Sequence, residues 1–214
     1  MKYLVGARGS KLSVAQTSWV ISELKKVNPD SEYEIKPITT KGDTDTRPLF
    51  TIEQKGIFEK EIDKAVAEKE VDFAVHSLKD IPSDLADNLI IASIPKREKV
   101  NDVFISSDGS SLDKIKAGSI IGTSSLRRAV QIIRQRSDVT VKPIRGNIET
   151  RINKTSGEHF DAIVLAQAGI SRLGVDVNFT PLSTDDFSPS PGQGAIAIVA
   201  RTDDLKTIEM LKKI

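Results

Sequence analysis

Short apolar runs alternate with amphipathic stretches along the chain. Residues Tyr3 to Ala7 form the first run and read as a buried strand. Leu12, Ala15, Trp19, Val20, Leu24 and Val27 then recur every three or four residues, which predicts a helix with one packed face, ended by Asn28-Pro29. Ser10 stands where such a helix needs an N-cap. Glu34 to Ile38 reads as the second strand. Residues 40–56 show no period and many charges, which predicts a mobile loop long enough to serve function. Phe58, Ile62, Ala65 and Val66 mark one face of the next helix. Strands follow at Asp72 to Val75 and Leu89 to Ser93.

The second half repeats this strand–turn–helix logic. Strands are expected at Val103 to Ser106, Ser119 to Gly122, Val139 to Ile144, Asp161 to Ala166 and Ala195 to Ala200. After Gly122, Thr123 or Ser124 would cap a helix whose buried face is Leu126, Ala129, Val130 and Ile133. A helix after Asn147 turns Ile148 and Ile152 inward and leaves Arg151 off that face. A closing helix over 203–214 would bury Leu205, Ile208 and Leu211. The charged stretch 95–101 fits a crossover between domains and, on composition alone, equally an exposed loop. The Pro/Gly segment 188–195 is the natural second crossover.

Polar chemistry collects where these strands end. His76, Ser77, Lys79 and Asp80 follow the run Phe73 to Val75 and stop at Pro82. In open α/β sheets, ligands bind beyond the carboxyl ends of strands. Arg8, Arg127, Arg128, Arg145, Arg151 and Arg172 stand at or just beyond such ends, with Ser10, Ser124 and Ser125 as neutral donors. Arg127 and Arg128 fall in a first helical turn, where the dipole disfavours cations and free N–H groups favour anions. Guanidinium forks match carboxylates, so the set suits a ligand with several acidic groups. Asp80 is the odd group out, able to hold an N–H or a developing cation.

Composition narrows the classes. Thirty-one Lys+Arg against 30 Asp+Glu leave a net charge of +1, and 5% of residues are aromatic. Bulk electrostatics and stacking therefore give little to a nucleic-acid partner. No apolar run reaches the length of a membrane span. The chain has no cysteine and two histidines, which leaves no thiol chemistry and no His-based metal site, so a cytoplasmic location is expected.

Nine segments carry a resemblance to a known family. They are Arg8 to Leu12, Thr40 to Asp43, Lys55 to Phe58, Val75 to Pro82, Gly122 to Arg128, Ile144 to Asn147, Thr150-Arg151, Asp161 to Ala166 and Pro191 to Ala195. In this order they resemble the porphobilinogen deaminases, or hydroxymethylbilane synthases, over essentially the whole chain. The resemblance implies an α/β protein of two periplasmic-binding-protein-like domains, with mixed, mostly parallel sheets and a cleft between them. Domain 1 would be 1–95 plus 196–214, and domain 2 would be 101–188. It implies head-to-tail condensation of porphobilinogen with loss of ammonia. Asp80 would hold pyrrole N–H groups and stabilise a cationic azafulvene-like intermediate. Arg8, Ser10, Lys55, Lys79, Thr123, Ser124, Ser125, Arg127, Arg128, Arg145, Gly146, Arg151, Arg172 and Gln193 would bind substrate or cofactor. Lys41, Gly42 and Asp43, with Phe58, would belong to the active-site loop.

The same resemblance implies a third, C-terminal domain whose cysteine tethers a dipyrromethane primer. These 214 residues contain no cysteine, so covalent attachment to them is excluded. Three arrangements are open: a separate chain supplies that domain, the primer is held by the arginines without a bond, or the protein binds pyrroles without catalysis. Retention of Asp80 with the arginine set favours the first. A non-catalytic two-lobed receptor for a polycarboxylate ligand is the rival reading.

Overall fold

A computed structural model describes residues 1–44, 59–156 and 159–214. In chain order the elements are β1 (Lys2–Arg8), α1 (Lys11–Val27), β2 (Glu32–Ile38), α2 (Lys41–Thr44), α3 (Lys60–Ala67), β3 (Phe73–Ser77), β4 (Leu89–Ser93), β5 (Asp102–Ser106) and β6 (Ile120–Gly122). Then come α4 (Leu126–Gln135), β7 (Thr140–Lys142), α5 (Ile148–Asn153), β8 (Ala162–Ala166), α6 (Gln167–Leu173), β9 (Thr180–Pro181), β10 (Ile196–Arg201) and α7 (Leu205–Leu211). The described residues divide into two compact units, one of 1–44, 59–98 and 195–214, the other of 99–156 and 159–194.

Each unit is built on one five-stranded sheet, and both sheets follow the same plan. The first has the order β2-β1-β3-β10-β4, with β10 antiparallel to both neighbours. The second has the order β7-β6-β8-β5-β9, with β5 antiparallel to both neighbours. Helices connect the parallel strands, as a parallel neighbour requires a long return.

Strand alternation sends side chains to two cores. In the first unit Phe73 and Val75 join Val5, Val20, Leu24, Ile198 and Leu211 on one face. Ala74 and Val199 join Ile62, Val66 and Val71 on the other, against α3. Burial on both faces explains why β3, β8 and β10 read as continuous apolar runs.

Four expectations are corrected. The cap of α4 is Ser125, whose hydroxyl accepts from Arg128 N, rather than Thr123 or Ser124. The inward residues of α4 are Arg128 and Ile132, while Leu126, Val130 and Ile133 are exposed at 75%, 59% and 41%. Apolar periodicity loses here because a buried acid draws Arg128 inward. Leu205 is likewise exposed, at the first turn of α7 beside the capping Asp204. Finally, Lys41 to Thr44, read as loop, form a helical turn, and the remainder of the expected loop lies outside the described residues.

Candidate active site

In the first unit, pairing of β1 with β3 fixes the site. Val5 faces Phe73 and Gly6 faces Ala74, so the same register sets Arg8 level with His76. Ser10 follows Arg8 and caps α1, its hydroxyl accepting from Ser13 N at 3.3 Å. After β3 the chain makes a single 3-10 turn, Leu78–Asp80, anchored where Leu78 N donates to Ala195 O at 3.0 Å. Lys79 and Asp80 are thereby presented beside Arg8. Behind them His76 is buried, its Nε2 3.1 Å from Asp63 Oδ1 without the alignment of a hydrogen bond.

Dense surrounding protein pushes the Asp80 carboxyl above its ordinary range, and the charges of Lys79, Arg8 and His76 act against that rise. Asp80 nonetheless keeps an exposed surface. The two facts are compatible for a group in a depression that opens to water.

In the second unit an acid that the sequence reading missed organises the arginines. Asp102 opens β5 and is fully buried. Its Oδ2 accepts from Arg127 Nη2 at 2.7 Å, and its Oδ1 accepts from Arg128 Nη2 at 2.7 Å, Arg128 Nε at 3.1 Å and Gln193 Nε2 at 2.9 Å. Arg128 also donates to Val164 O, and Arg127 to Ser188 O. The signal was available: a carboxylate at the mouth of an otherwise apolar strand needs a cation or donors.

These contacts revise several expected ligand groups. Gln193 has no exposed surface and donates to Val100 O as well as Asp102, so it holds the fold rather than a ligand. Ser124 Oγ donates to Ile144 O at 2.6 Å and accepts from Ile144 N at 3.0 Å, which commits its proton to the backbone. Thr123 Oγ1 and Ser125 Oγ accept from local N–H groups and keep a hydroxyl proton to donate. Arg172 Nη2 donates to Gly194 O at 2.7 Å. Lys41 is exposed, Gly42 is buried, and Asp43 lies in the same helical turn. Lys55 and Phe58 lie outside the described residues.

Arg145 and Arg151 flank the start of α5. Gly146 between them has φ +117°, and an added Cβ there would meet Thr150 Cγ2 at 2.7 Å, so only glycine fits this turn. Asn147 then caps α5 through Thr150 N at 2.8 Å. Arg151 Nε donates to Gly146 O at 2.7 Å. Burial pulls the Arg151 pKa down, and the like charges of Arg128 and Arg145 pull it further. Three guanidinium groups that repel one another suit an anion that bridges them. Arg151→Gln is therefore expected to leave the thermal midpoint of the free protein unchanged or raised, while weakening binding of a pyrrole dicarboxylate at least about tenfold by calorimetry.

The fold defines the class: a two-unit α/β protein with a periplasmic-binding-protein-like fold. One fold neighbour is an arginine transport-system periplasmic binding protein from Legionella pneumophila, 15% identical, covering 100% of this chain and 91% of that one, TM-score 0.51. The family profile described as "Porphobilinogen deaminase, dipyromethane cofactor binding domain" matches residues 3–209. A "Probable porphobilinogen deaminase" from Nitrosopumilus maritimus is 82% identical over all of this chain and 69% of its own length. A "Porphobilinogen deaminase" from Listeria innocua is 48% identical over all of this chain and 71% of its own. The chain belongs to the porphobilinogen deaminase family. Among the described residues no helix is long and apolar enough to cross a membrane.

Proposed function

We propose that this chain condenses porphobilinogen head to tail, releasing one ammonia per bond formed, towards hydroxymethylbilane in tetrapyrrole biosynthesis. One observation carries the reading: a carboxylate, Asp80, is presented beside Lys79 and Arg8, with His76 behind it, at the end of a central strand. A receptor for polyacids gains nothing from such a carboxylate. In the reaction, the bond between the aminomethyl carbon and its nitrogen breaks, and ammonia takes the electron pair. The positive charge left on the pyrrole is stabilised by Asp80, which also accepts the pyrrole N–H. The free α-carbon of the next pyrrole then forms the new C–C bond and gives up its proton.

Lys79 and Arg8 in the first unit, and Arg128, Arg145 and Arg151 in the second, would hold acetate and propionate groups, with Arg127, Arg172, Ser10, Thr123 and Ser125 supporting them. The guanidinium cluster around Arg151 fits a dipyrromethane primer, which is itself acidic. When bound, that primer supplies the first free α-carbon. With no cysteine in these 214 residues, a thioether to it has to come from a cysteine outside them. The two compact units would act as the two substrate-binding domains, and the reaction would run in the cytoplasm.

The test is incubation of the protein with porphobilinogen, alone and with a candidate cysteine-bearing chain. Ammonia release with formation of a tetrapyrrole that colours on oxidation is expected in at least the second mixture. No ammonia in either would refute the proposal.

A further inference from the structure

The turn Ile144-Arg145-Gly146, between β7 and α5 in the second unit, has its backbone tied down by side chains. Three consecutive carbonyls each accept from one: Ile144 O from Ser124 Oγ at 2.6 Å, Arg145 O from Lys154 Nζ at 2.9 Å and Gly146 O from Arg151 Nε at 2.7 Å. Arg145 is half-buried and Gly146 is exposed. Water can satisfy carbonyls at such a surface, so what the side chains add is order. Order is what this turn lacks by itself. Gly146 adopts φ +117° and has no side chain to restrict it, so the peptide planes on either side are loose joints. Lys154 holds the plane before it and Arg151 holds the plane after it.

Lys154 is the unexpected member. It stands just past the C-terminus of α5, where a lysine ordinarily meets water or the last helical carbonyls. Instead its ammonium reaches back nine residues, past the whole helix, to the carbonyl of the residue that precedes Gly146. We propose that Lys154 is a positioning residue for ligand binding: by holding the Arg145 carbonyl it fixes the backbone from which the Arg145 guanidinium meets a carboxylate of the substrate. The inference rests on the proposed function, in which Arg145 binds an acidic arm, and deepens it. Lys154 touches no ligand and acts through Arg145 alone. A guanidinium on a long arm recognises a carboxylate well only when its own backbone is fixed, because a swing at the root displaces the fork at the tip.

The test is a double-mutant cycle on the full chain. Its probe is a pyrrole with one acetate arm, one propionate arm and no aminomethyl group, titrated by calorimetry. Lys154→Met keeps the stem and removes the donor, and is expected to weaken the probe about tenfold. Lys154→Arg keeps a cationic donor and is expected to stay within about threefold of wild type. In an Arg145→Gln background, Lys154→Met should cost less than about twofold more, because the group it positions is gone. An equal loss in both backgrounds overturns the proposal, since Lys154 would then act as a general charge or through the fold. No loss in Lys154→Met also overturns it and leaves the functional reading intact. A wild type that does not bind the probe, or an Arg145→Gln variant that binds like wild type, overturns the role given to Arg145 and this inference with it. Should Lys154→Met fail to give a cooperative thermal transition, Lys154→Gln replaces it in the cycle, with the same outcomes required.

Discussion

Replacing Asp80 by alanine is expected to lower the rate of ammonia release about 10²–10³-fold while leaving the affinity for a pyrrole diacid unchanged or improved. The magnitude follows from removing one preorganised group that faces charge developing in the transition state. The direction of the binding change follows from charge. Arg8 and Lys79 lose a competing carboxylate and present a stronger field to the acidic groups of a ligand. A non-catalytic receptor would show the same binding and no rate to lose, so the two measurements together separate the classes. The acid dependence adds a second check. Because dense surroundings raise the Asp80 carboxyl, the ionised form is lost at a higher pH than for an ordinary aspartate, and the acid limb of the rate profile moves up accordingly. Loss of diacid binding in Asp80→Ala, with the rate retained, would contradict this assignment.

How much of this could be read from the chain differs by element. β3, β8 and β10 were legible because burial on both faces leaves continuous apolar runs between polar ends. Asp80 and Lys79 were legible for the same reason, since the strand that carries them stops abruptly. The packed face of α4 was not. The reading assumed that apolar residues point inward, whereas Asp102 draws in Arg128 and leaves Leu126 and Val130 outside. One buried acid thus misdirected a whole helix, and it also turned Gln193 from an expected ligand group into a structural one. The repeat of strand–turn–helix logic was legible in the two halves, but the strand order the two sheets share was not. Hydrogen-bond order and strand direction repeat between them, while the residues that fill each core do not.

Asp102→Ala should be the most destabilising of these substitutions, by about 3–5 kcal/mol, because it strands guanidinium charge without its buried partner. Arg128 is 8% exposed and would be left donating to Val164 O without a counter-charge from Asp102, while Gln193 would lose its bond to that carboxylate and keep the one to Val100 O. Substrate binding falls with stability, since Arg127 and Arg128 are oriented by the same carboxylate. The effect also has a pH signature. Burial pushes the Asp102 carboxyl up, but the charge of Arg128 and the hydrogen bonds from Arg128, Arg127 and Gln193 outweigh it and hold the group below the ordinary range. A carboxyl lower in the folded than in the unfolded chain gives stability that is complete above the unfolded value and lost as pH falls through the folded one. Urea unfolding midpoints of wild type should therefore decline on acidification below the ordinary aspartate range, and this part of the decline should be absent in Asp102→Ala. The conservative Asp102→Asn separates charge from shape: it keeps one acceptor oxygen for the fork, so its loss at neutral pH should be smaller than that of the alanine variant. An alanine variant within about 1 kcal/mol of wild type, with the same acid slope, would mean that the arginines are held by other groups and that Asp102 does not organise them.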